Sequence, residues 1–234
     1  MEPLRITAHL ASPLGVFDDY SPSLDGLLEW LLLDRLHLTS PNPTPKQVEA
    51  TRLIVDEQMP LQKSEIIEEW YWATSSPCYQ ILNEQIDRYR KRWSPGIDSP
   101  EPNWGKRRAK WSGSEGAEKN YDLPLYLRTT PAIFWYAVGD KNRILDLLQD
   151  CTGIGKKRAY GYGQILRWEI ETCGEDWHLW RDGQLMRPIP VTAIDRCCDF
   201  AILNWGWRPP AWLHTNKTRC AMPVHTVKKL GSVG

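Results

Sequence analysis

The chain has 234 residues, no net charge, 41% hydrophobic residues and 13 tryptophans, which fits a folded protein of one domain with an insertion or of two small ones. No apolar run reaches the 18 residues of a membrane span, and positions 1–20 lack the basic start and cleavage site of a signal peptide. Six cysteines without a Cys-X2-Cys spacing fit a reducing compartment better than a disulfide framework. We therefore expect a cytoplasmic protein that does not enter a membrane.

The charge is unevenly distributed along the chain. Residues 1–87 contain 5 Lys/Arg and 14 Asp/Glu, whereas residues 88–163 contain 15 Lys/Arg and 8 Asp/Glu. A local basic block on an otherwise balanced protein is typical of a nucleic-acid site. The acidic first third is a poor candidate for phosphate contact, and we interpret it as a solvated surface or as a face for a protein partner.

The first elements follow from the spacing of apolar residues. Apolar and polar side chains alternate over residues 4–10, which predicts a half-buried strand. Leucines recur at helical spacing over 24–36, and a second helix is predicted over about 46–57 with Thr44 as its N-cap. Residues 80–93 are predicted to form a further helix that ends in a basic face.

Strands and one more helix follow in the second half of the chain. The aromatic residues 70–74 suit a strand, and residues 122–138 predict two strands that are broken at a Thr-Pro pair. An amphipathic helix is predicted over 140–149 and an alternating strand over 164–171. A loop rich in glycine joins this helix to this strand.

Residues 94–121 are rich in proline and glycine, so that regular structure is not expected there. Within them the stretch 104–111 places four cations between two tryptophans. We predict a basic arm that contacts RNA or a duplex, and the alternative is a basic loop with one tryptophan packed on the core. The four cations are Lys106, Arg107, Arg108 and Lys110.

The C-terminal region contains a hairpin and a Trp-rich tail. An Asp-Gly pair predicts a tight hairpin that pairs about 176–180 with 184–187. Trp207 and Arg208 lie in the tryptophan-rich stretch 205–212, where aromatic and cationic side chains could contact RNA. The same tryptophans could instead fold back and seal the core, because tryptophan is more often buried than functional.

The most informative segment is the glycine-rich loop at residues 153–163. Glycine permits positive φ and a close backbone approach, and exposed N–H groups in such a loop form a concave anion site. Cations would pair with phosphates, and tyrosine rings would stack on unpaired bases. The loop therefore predicts binding of a nucleic-acid strand through Gly153, Gly155, Lys156, Lys157, Arg158, Tyr160, Gly161, Tyr162 and Gly163.

Other glycine motifs fit this loop less well. It lacks the Gly-Lys-[Ser/Thr] of a Walker loop, and it follows a helix and precedes a strand, which is the reverse of a Rossmann fingerprint. The stretch 152–159 is similar to a helix-hairpin-helix DNA-binding turn, but Gly161 and Gly163 fall where the second helix would run. A plain glycine-rich turn with solvated cations also stays open.

The pattern Gly-X-Gly-X5-Gly-X-Gly between the last helix and the last strand strongly resembles the glycine-rich loop of the RAMP superfamily. Its members are RNA-binding subunits of class 1 CRISPR effector complexes. The first strand, the Ser12-Pro13 pair and the opening of the first helix agree with this resemblance. Together with the length, they look most like the fifth-Cas-family subunit of type IV complexes, which caps the 5′ handle of the guide RNA. The resemblance covers 1–36 and 121–171.

The resemblance implies an α+β fold with a ferredoxin-like (RRM-like) core, β-α-β-β-α-β. This core would carry a helical insertion, the basic arm, and the C-terminal hairpin plus Trp-rich tail. We expect the first part of the core with its insertion at 1–93, the arm or thumb at 94–121, the second part of the core at 122–171, and the C-terminal extension at 172–234.

The function that the resemblance implies is that of a non-catalytic RNA-binding subunit in a CRISPR ribonucleoprotein of antiviral defence. The expected partners are the guide RNA, target DNA within the complex, backbone RAMP subunits and a large subunit. Besides the glycine-rich loop and the arm, His9, Trp207 and Arg208 are candidate RNA contacts. His9 is included because some relatives place catalytic or RNA-contacting polar residues on the first strand.

Two alternatives stay open. The first is a metal-independent guide-processing endoribonuclease that uses His9 or a tyrosine of the glycine-rich loop. The second is a helix-hairpin-helix DNA-binding protein. We expect neither a cofactor nor a metal, because His214, Cys220 and His225 have no fourth ligand at a standard zinc spacing.

Overall fold

The computed structural model of the chain describes residues 1–16, 18–40, 43–91, 121–194, 200–224 and 226–229. Within these ranges three α-helices and fifteen strands form an α+β fold, which confirms the predicted class. The helices are α1 (Leu24–Arg35), α2 (Pro45–Gln58) and α3 (Lys141–Leu148). The strands are β1 (Glu2–Leu10), β2 (Leu14–Val16), β3 (Lys63–Ile66), β4 (Glu69–Trp72), β5 (Tyr79–Ile81), β6 (Asn83–Lys91), β7 (Tyr121–Thr129), β8 (Ala132–Gly139), β9 (Ile165–Thr172), β10 (Trp180–Arg181), β11 (Gln184–Leu185), β12 (Ile189–Pro190), β13 (Ile202–Gly206), β14 (Lys217–Ala221) and β15 (Val227–Lys229).

A three-stranded antiparallel sheet forms the centre of the fold, with β1 between β8 and β9. Because side chains alternate along a strand, Leu4, Ile6 and Ala8 of β1 all point to one face, where each is at most 1% exposed. The buried side chains of α1 and α3 join them in one hydrophobic cluster. The strand predicted over 4–10, the helices predicted over 24–36 and 140–149, and the strand predicted over 164–171 are thus confirmed.

The ferredoxin-like core is not confirmed at the level of sheet topology. Such a core has a fourth strand beside β8, whereas the ladder that the described residues form contains three strands. Leu61, Thr74 and Cys78 instead make isolated antiparallel bridges to β8. The edge of the sheet is therefore covered by irregular segments between α2 and β5.

Helix α2 is the helical insertion that the sequence predicted after α1. The Thr44 hydroxyl accepts a hydrogen bond from the Gln47 N–H at 3.3 Å, and the Gln47 side chain accepts one from the Thr44 N–H at 2.8 Å. This reciprocal capping box, with Pro45 in the first turn, starts the helix where the sequence placed it. No helix of the described residues is both long and apolar enough to cross a bilayer.

The predicted helix over 80–93 is wrong. β5 and β6 occupy the described part of this range, and β6 pairs antiparallel with β7, from Asn83 opposite Thr129 to Lys91 opposite Tyr121. Arg88 and Arg90, which suggested a helical face, instead both pair with Asp122 of β7. Backbone pairing with β7 decided the local conformation. Helix propensity is a weak prior that tertiary pairing overrides.

The two strands predicted over 122–138 lie in different sheets. Both strands exist, but β7 belongs to a sheet with β2 and β6, whereas β8 belongs to the central sheet. Lys91, the last described residue before the predicted basic arm, lies opposite Tyr121 at the end of the arm. The arm cations at 106–110 lie outside the described residues.

The C-terminal hairpin is present but shorter than predicted. Trp180 pairs with Leu185 and Arg181 with Gln184. Asp182 and Gly183 form the turn with φ values of 51° and 75°, the positive values that a tight Asp-Gly turn requires. The Trp-rich tail follows β13, which pairs with β14 in a separate three-stranded sheet with β12.

Arg187 is buried where the C-terminal region meets β4. Its guanidinium donates to the carbonyl oxygens of Trp72, Thr74 and Trp207 at 2.5, 2.9 and 2.6 Å. Asp25 of α1 lies 3.8 Å from the same group. These contacts tie the Trp-rich tail to the first half of the chain, and they satisfy most of a charge that would be costly to bury alone.

Glu29 of α1 is a second buried charge with a weaker partner. Its Oε2 lies 3.6 Å from Arg52 Nη1, which is an ion-pair distance too long for a hydrogen bond. The Oε2 atom is buried and has no hydrogen-bond partner. Desolvation therefore raises the pKa of Glu29 to about 7, because burial disfavours the charged carboxylate.

We expect Glu29→Gln to change the pH dependence of stability. A carboxyl whose pKa is raised on folding stabilises the folded state below its unfolded pKa of about 4.5, and this contribution is lost as the pH rises towards 7. The wild-type protein should thus lose stability over this window, by on the order of 3 kcal/mol at most. Denaturant titrations at pH 5 and pH 8 should show a smaller loss for the variant. An equal loss in both proteins would contradict the burial of an ionisable Glu29.

Candidate nucleic-acid interface

The glycine-rich loop lies between α3 and β9, as the sequence predicted. Gly155, Gly161 and Gly163 have φ values of +82°, +86° and +64°, which L-residues with a Cβ rarely adopt. Lys157 also has a positive φ of 58°, and a single 3-10 turn spans Arg158–Tyr160. Four residues of the loop therefore have a left-handed backbone conformation, which lets the chain turn tightly.

Glycine is needed at these positions mainly because neighbouring backbone atoms lie very close to the loop. A Cβ on Gly163 would lie 1.9 Å from the Ile154 carbonyl oxygen, and one on Gly155 would lie 2.6 Å from the Gly15 carbonyl oxygen. On the other side of this contact, a Cβ on Gly15 of β2 would lie 2.7 Å from the Lys156 carbonyl oxygen. Close approach between the loop and β2 explains Gly155 and Gly15, and close approach within the loop explains Gly163.

Hydrogen bonds within the protein occupy several N–H groups that we expected to face a ligand. Ile154 N–H donates to Gly163 at 2.9 Å, Lys156 N–H donates to Gly15 at 2.8 Å, and Gly163 N–H donates to Pro13 at 2.8 Å. These three N–H groups are therefore not available to an anion. The cations and tyrosines of the loop, by contrast, are exposed or half-buried at its surface.

Gly163→Ala should destabilise the fold by about 2–4 kcal/mol, because the new methyl group meets backbone and the positive φ is strained. In a thermal melt we expect a Tm at least about 5 °C lower than that of the wild type. Gly174→Ala is the matched control, since its Cβ would meet no atom within 4 Å. A Gly163→Ala protein as stable as this control would show that the loop can move away from Ile154.

Tyr89 of β6 is the centre of an aromatic and cationic cluster beside the loop. The Lys157 Nζ lies 2.9 Å from the centroid of the Tyr89 ring, a cation–π distance. The Tyr121 ring stacks on Tyr89 at 5.1 Å, and the Tyr160 ring meets it edge-on at 5.6 Å. We call these four residues, Tyr89, Tyr121, Lys157 and Tyr160, the tyrosine–lysine cluster.

The cluster perturbs the acidity of its own tyrosines. Hydrogen bonds from Tyr121, Tyr160 and Lys157 lower the pKa of Tyr89 to about 8. The hydrogen bond that Tyr121 makes with Tyr89 raises the pKa of Tyr121 to about 12. Tyr89 is thus the hydroxyl of the cluster that ionises first, next to a lysine that stabilises its phenolate.

The two loop tyrosines have different roles. Tyr160 is 64% exposed, so its ring can accept a stacked base. Tyr162 is half-buried, and its hydroxyl donates to Asp87 Oδ2 of β6 at 2.8 Å. This bond lowers the pKa of Asp87 and raises that of Tyr162. Tyr162 therefore fastens the loop to the hairpin.

Arg158 connects the loop to α1. Its guanidinium lies 5.0 Å from the Trp30 ring centroid, and it donates to the Gly153 carbonyl oxygen at 3.4 Å. Lys156 and Arg158 are both exposed at the surface of the loop. The cations of the loop thus lie between α1 on one side and the β6–β7 hairpin on the other.

His9 lies on the face of the central sheet that is opposite the face covered by α1 and α3. Its Nε2 is 2.7 Å from Glu169 Oε2 on β9, and this contact lowers the pKa of Glu169. Arg167 is its cross-strand neighbour. The part of the chain that the structure describes contains no cluster of three His, Cys, Asp or Glu side chains that could hold a metal ion.

Trp207 and Arg208 are not brought to the glycine-rich loop. Trp207 is 5% exposed and packs on Tyr71, with ring centroids 6.0 Å apart. Arg208 Nη1 donates to Glu69 Oε2 at 2.6 Å, and its Nε donates to Asn216 Oδ1 at 3.1 Å. These contacts favour the alternative in which the Trp-rich tail packs on the core.

Sequence reasoning missed Tyr89 and Tyr121. The first lay in a segment predicted to be helical, and the second lay at the edge of the predicted arm. Both become neighbours of Tyr160 only through the pairing of β6 with β7. The signal for a strand was weak: Ile86 and Tyr89 favour strands as residue types, but they are three residues apart and do not alternate with polar residues.

A comparison with protein families identifies the family of this chain. The family described as Csf3, CRISPR type IV associated protein Csf3, matches residues 2–224. The chain belongs to the Csf3 family. It is thus a subunit of type IV CRISPR systems, which confirms the assignment expected from the glycine-rich loop and the first strand. No curated protein matches the chain.

The Csf3 family and the loop conformation together weaken the helix-hairpin-helix alternative. That alternative requires a helix over residues 156–165. The structure instead has one 3-10 turn there, two glycines at positive φ, and the start of β9. The Gly-Ile-Gly turn of this Csf3-family chain therefore does not lead into a recognition helix.

Proposed function

We propose that the chain binds the 5′ handle of the guide RNA in a type IV CRISPR ribonucleoprotein and does not cleave it. The observation that carries the proposal is the tyrosine–lysine cluster, which places a cation and exposed rings at the junction of the glycine-rich loop and the β6–β7 hairpin. Single-stranded RNA is recognised by this combination of stacked bases and phosphate contacts.

The geometry suggests how a strand would lie. Tyr160 offers a ring face for one base, and Lys156 and Arg158 lie beside it for the phosphates. The rigid packing of the loop on β2 holds these groups in place, so little ordering entropy is lost on binding. The hairpin leads from this site to the basic arm, whose cations would extend the phosphate track.

Membership of the Csf3 family supports a proposal for the other partners. We propose that backbone RAMP subunits and a large subunit are the neighbours of this chain and that the assembled complex binds target DNA. We also propose that the central sheet is a ferredoxin-like core with an irregular fourth strand. The order β9-β1-β8 and the bridges from Leu61, Thr74 and Cys78 support this interpretation.

Removal of the loop cations should reduce the salt dependence of RNA binding. For the triple variant Lys156→Ala, Lys157→Ala, Arg158→Ala, the slope of log K against log salt should fall by about 2, because each phosphate contact with a single strand contributes about 0.7. The RNA is the repeat-derived RNA that copurifies with the chain from cells expressing a matching CRISPR array.

The control for this triple variant is Lys46→Ala, Lys217→Ala, Arg219→Ala, which removes the same charge from three exposed positions away from the loop. It should leave the slope near the wild-type value. An equal change of slope in the two variants would show that the loop cations act only through the net charge of the protein and do not contact phosphates. Copurification of random nucleic acid without repeat-derived RNA would contradict the proposed function itself.

RNA affinity should fall as the pH rises through the pKa of Tyr89, which is about 8. The phenolate adds a negative charge beside the phosphates and neutralises Lys157, so the Kd should rise roughly fivefold between pH 7 and pH 9. Fluorescence anisotropy with labelled RNA measures this change. Tyr89→Phe should bind with little pH dependence, whereas Tyr126→Phe, on the opposite face of the hairpin, should behave like the wild type.

A second candidate function is RNA cleavage without a metal. The observation that favours it is the lowered pKa of Tyr89 next to Lys157, since a tyrosine that ionises near neutral pH can act as a general base. Cleavage of repeat RNA in EDTA that is lost in Tyr89→Phe would establish this function and overturn the non-catalytic proposal. Intact RNA under the same conditions is the result expected for a binding subunit.

A further inference from the structure

Lys157 and Arg158 are consecutive residues of the glycine-rich loop, but they contact aromatic rings on two different elements. The Lys157 Nζ lies 2.9 Å from the centroid of the Tyr89 ring on the β6–β7 hairpin. The Arg158 guanidinium lies 5.0 Å from the centroid of the Trp30 ring on α1. The tyrosine–lysine cluster therefore has a counterpart at α1, in which Arg158 and Trp30 form a second pair of cation and ring.

Two grooves border this second pair. Both Arg158 and Trp30 line a groove of about 740 Å³ that also includes Tyr162 and Leu166. The same two residues line a smaller groove of about 310 Å³ that also includes Lys156. Both volumes are within the range of protein sites that bind small ligands. Each groove is therefore large enough to take part of a bound strand.

The charges that line the two grooves have one sign. Lys156 and Arg158 line them, and no aspartate or glutamate of the described residues does. A neighbouring cavity of about 540 Å³, which Trp30 also lines, differs in this respect. Its charged residues are Asp25, Glu29, Arg187 and Arg208. The grooves therefore attract an anionic ligand, whereas the charges of the cavity balance.

The larger groove offers surfaces that suit an unpaired base. Trp30 is 41% exposed although Arg158 lies over its ring, and Leu166 is 66% exposed. Tyr162 is held in place by the hydrogen bond from its hydroxyl to Asp87. Unpaired bases stack on aromatic rings and on guanidinium planes. The exposed part of Trp30, together with Arg158, therefore fits one base.

We propose that Trp30 is a base-stacking residue of the RNA site and that the strand continues from Tyr160 across Arg158 to α1. This inference rests on the proposed function. One base would stack on Tyr160 and a second on Trp30 in the larger groove. The phosphates next to the second base would pair with Arg158 and, in the smaller groove, with Lys156. An acidic protein segment would fit the charge of the grooves, whereas RNA fits both their charge and the exposed rings.

The test measures binding of labelled repeat-derived RNA to variants of the full chain by fluorescence anisotropy. Trp30→Leu should raise the Kd about tenfold, because stacking of one base on an aromatic ring contributes about this much to affinity. Trp212→Leu is the matched control and should bind like the wild type. Its side chain is 47% exposed and lines the balanced cavity but neither groove.

A set of RNAs that each lack one base separates stacking from an indirect effect. With the wild-type protein, we expect a position at which removal of the base raises the Kd about tenfold. With Trp30→Leu, the RNA that lacks this base should bind as well as the intact RNA. This loss of additivity is the sign of a direct contact between the ring and that base. A different position should depend on Tyr160 in the same way.

A second pair of variants serves if Trp30→Leu does not fold. Leu166→Glu places a negative charge on the wall of the larger groove and should raise the Kd for RNA at least about fivefold. Leu53→Glu makes the same change on α2, where Leu53 is 74% exposed. This control should bind RNA like the wild type, and equal affinities of the two variants would contradict a strand in the larger groove.

Three results would overturn the proposal. Equal affinities of Trp30→Leu and Trp212→Leu would show that no base stacks on Trp30. A loss in Trp30→Leu that adds to the loss at every abasic position would show that Trp30 acts only by holding Arg158. Unchanged RNA binding by Trp30→Leu, with loss of protein subunits from the copurified complex, would make the grooves a protein interface.

The wild-type protein distinguishes failure of this inference from failure of the proposed function. In each of these three results the wild type still binds repeat-derived RNA, so that the proposed function stands without a role for Trp30. Absence of that binding in the wild type would overturn both.

Discussion

The close backbone packing of the glycine-rich loop on β2 is the constraint on which the candidate interface depends. At Gly15, Gly155 and Gly163, a Cβ would come within 2.7 Å of a carbonyl oxygen, so that residues without side chains are required on both sides of the contact. This packing fixes the loop relative to the sheet that contains β2, β7 and β6. Lys157 and Tyr160 can therefore reach Tyr89 on the neighbouring hairpin.

Charge is used in two different ways in this protein. On the surface, the cations of the loop lie next to tyrosine rings, where water and salt screen them and where they can pair with phosphates. In the interior, Arg187 and Glu29 are removed from water. Arg187 donates to three carbonyl oxygens, whereas Glu29 Oε2 makes no hydrogen bond and has Arg52 as its ion-pair partner at 3.6 Å. The surface cations can pair with phosphates, and the buried charges connect segments of the fold.

Trp30 links the two regions. One side of its ring contacts the Arg158 guanidinium of the loop, and the ring also lines the cavity that contains Glu29. Trp30 therefore lies between the cations of the loop and the cavity beside α1.

The sequence by itself determined the elements whose signals are local. The alternation over 4–10, the leucine spacing of α1 and the Thr44 capping box placed these elements correctly, because each depends on neighbouring residues. The spacing of glycines identified the loop and the family. Only the tertiary structure decided that 83–91 is a strand, that Trp207 is buried, and that Tyr89 meets both Lys157 and Tyr121. These outcomes rest on pairing between segments far apart in the chain, and that pairing overrides local propensity.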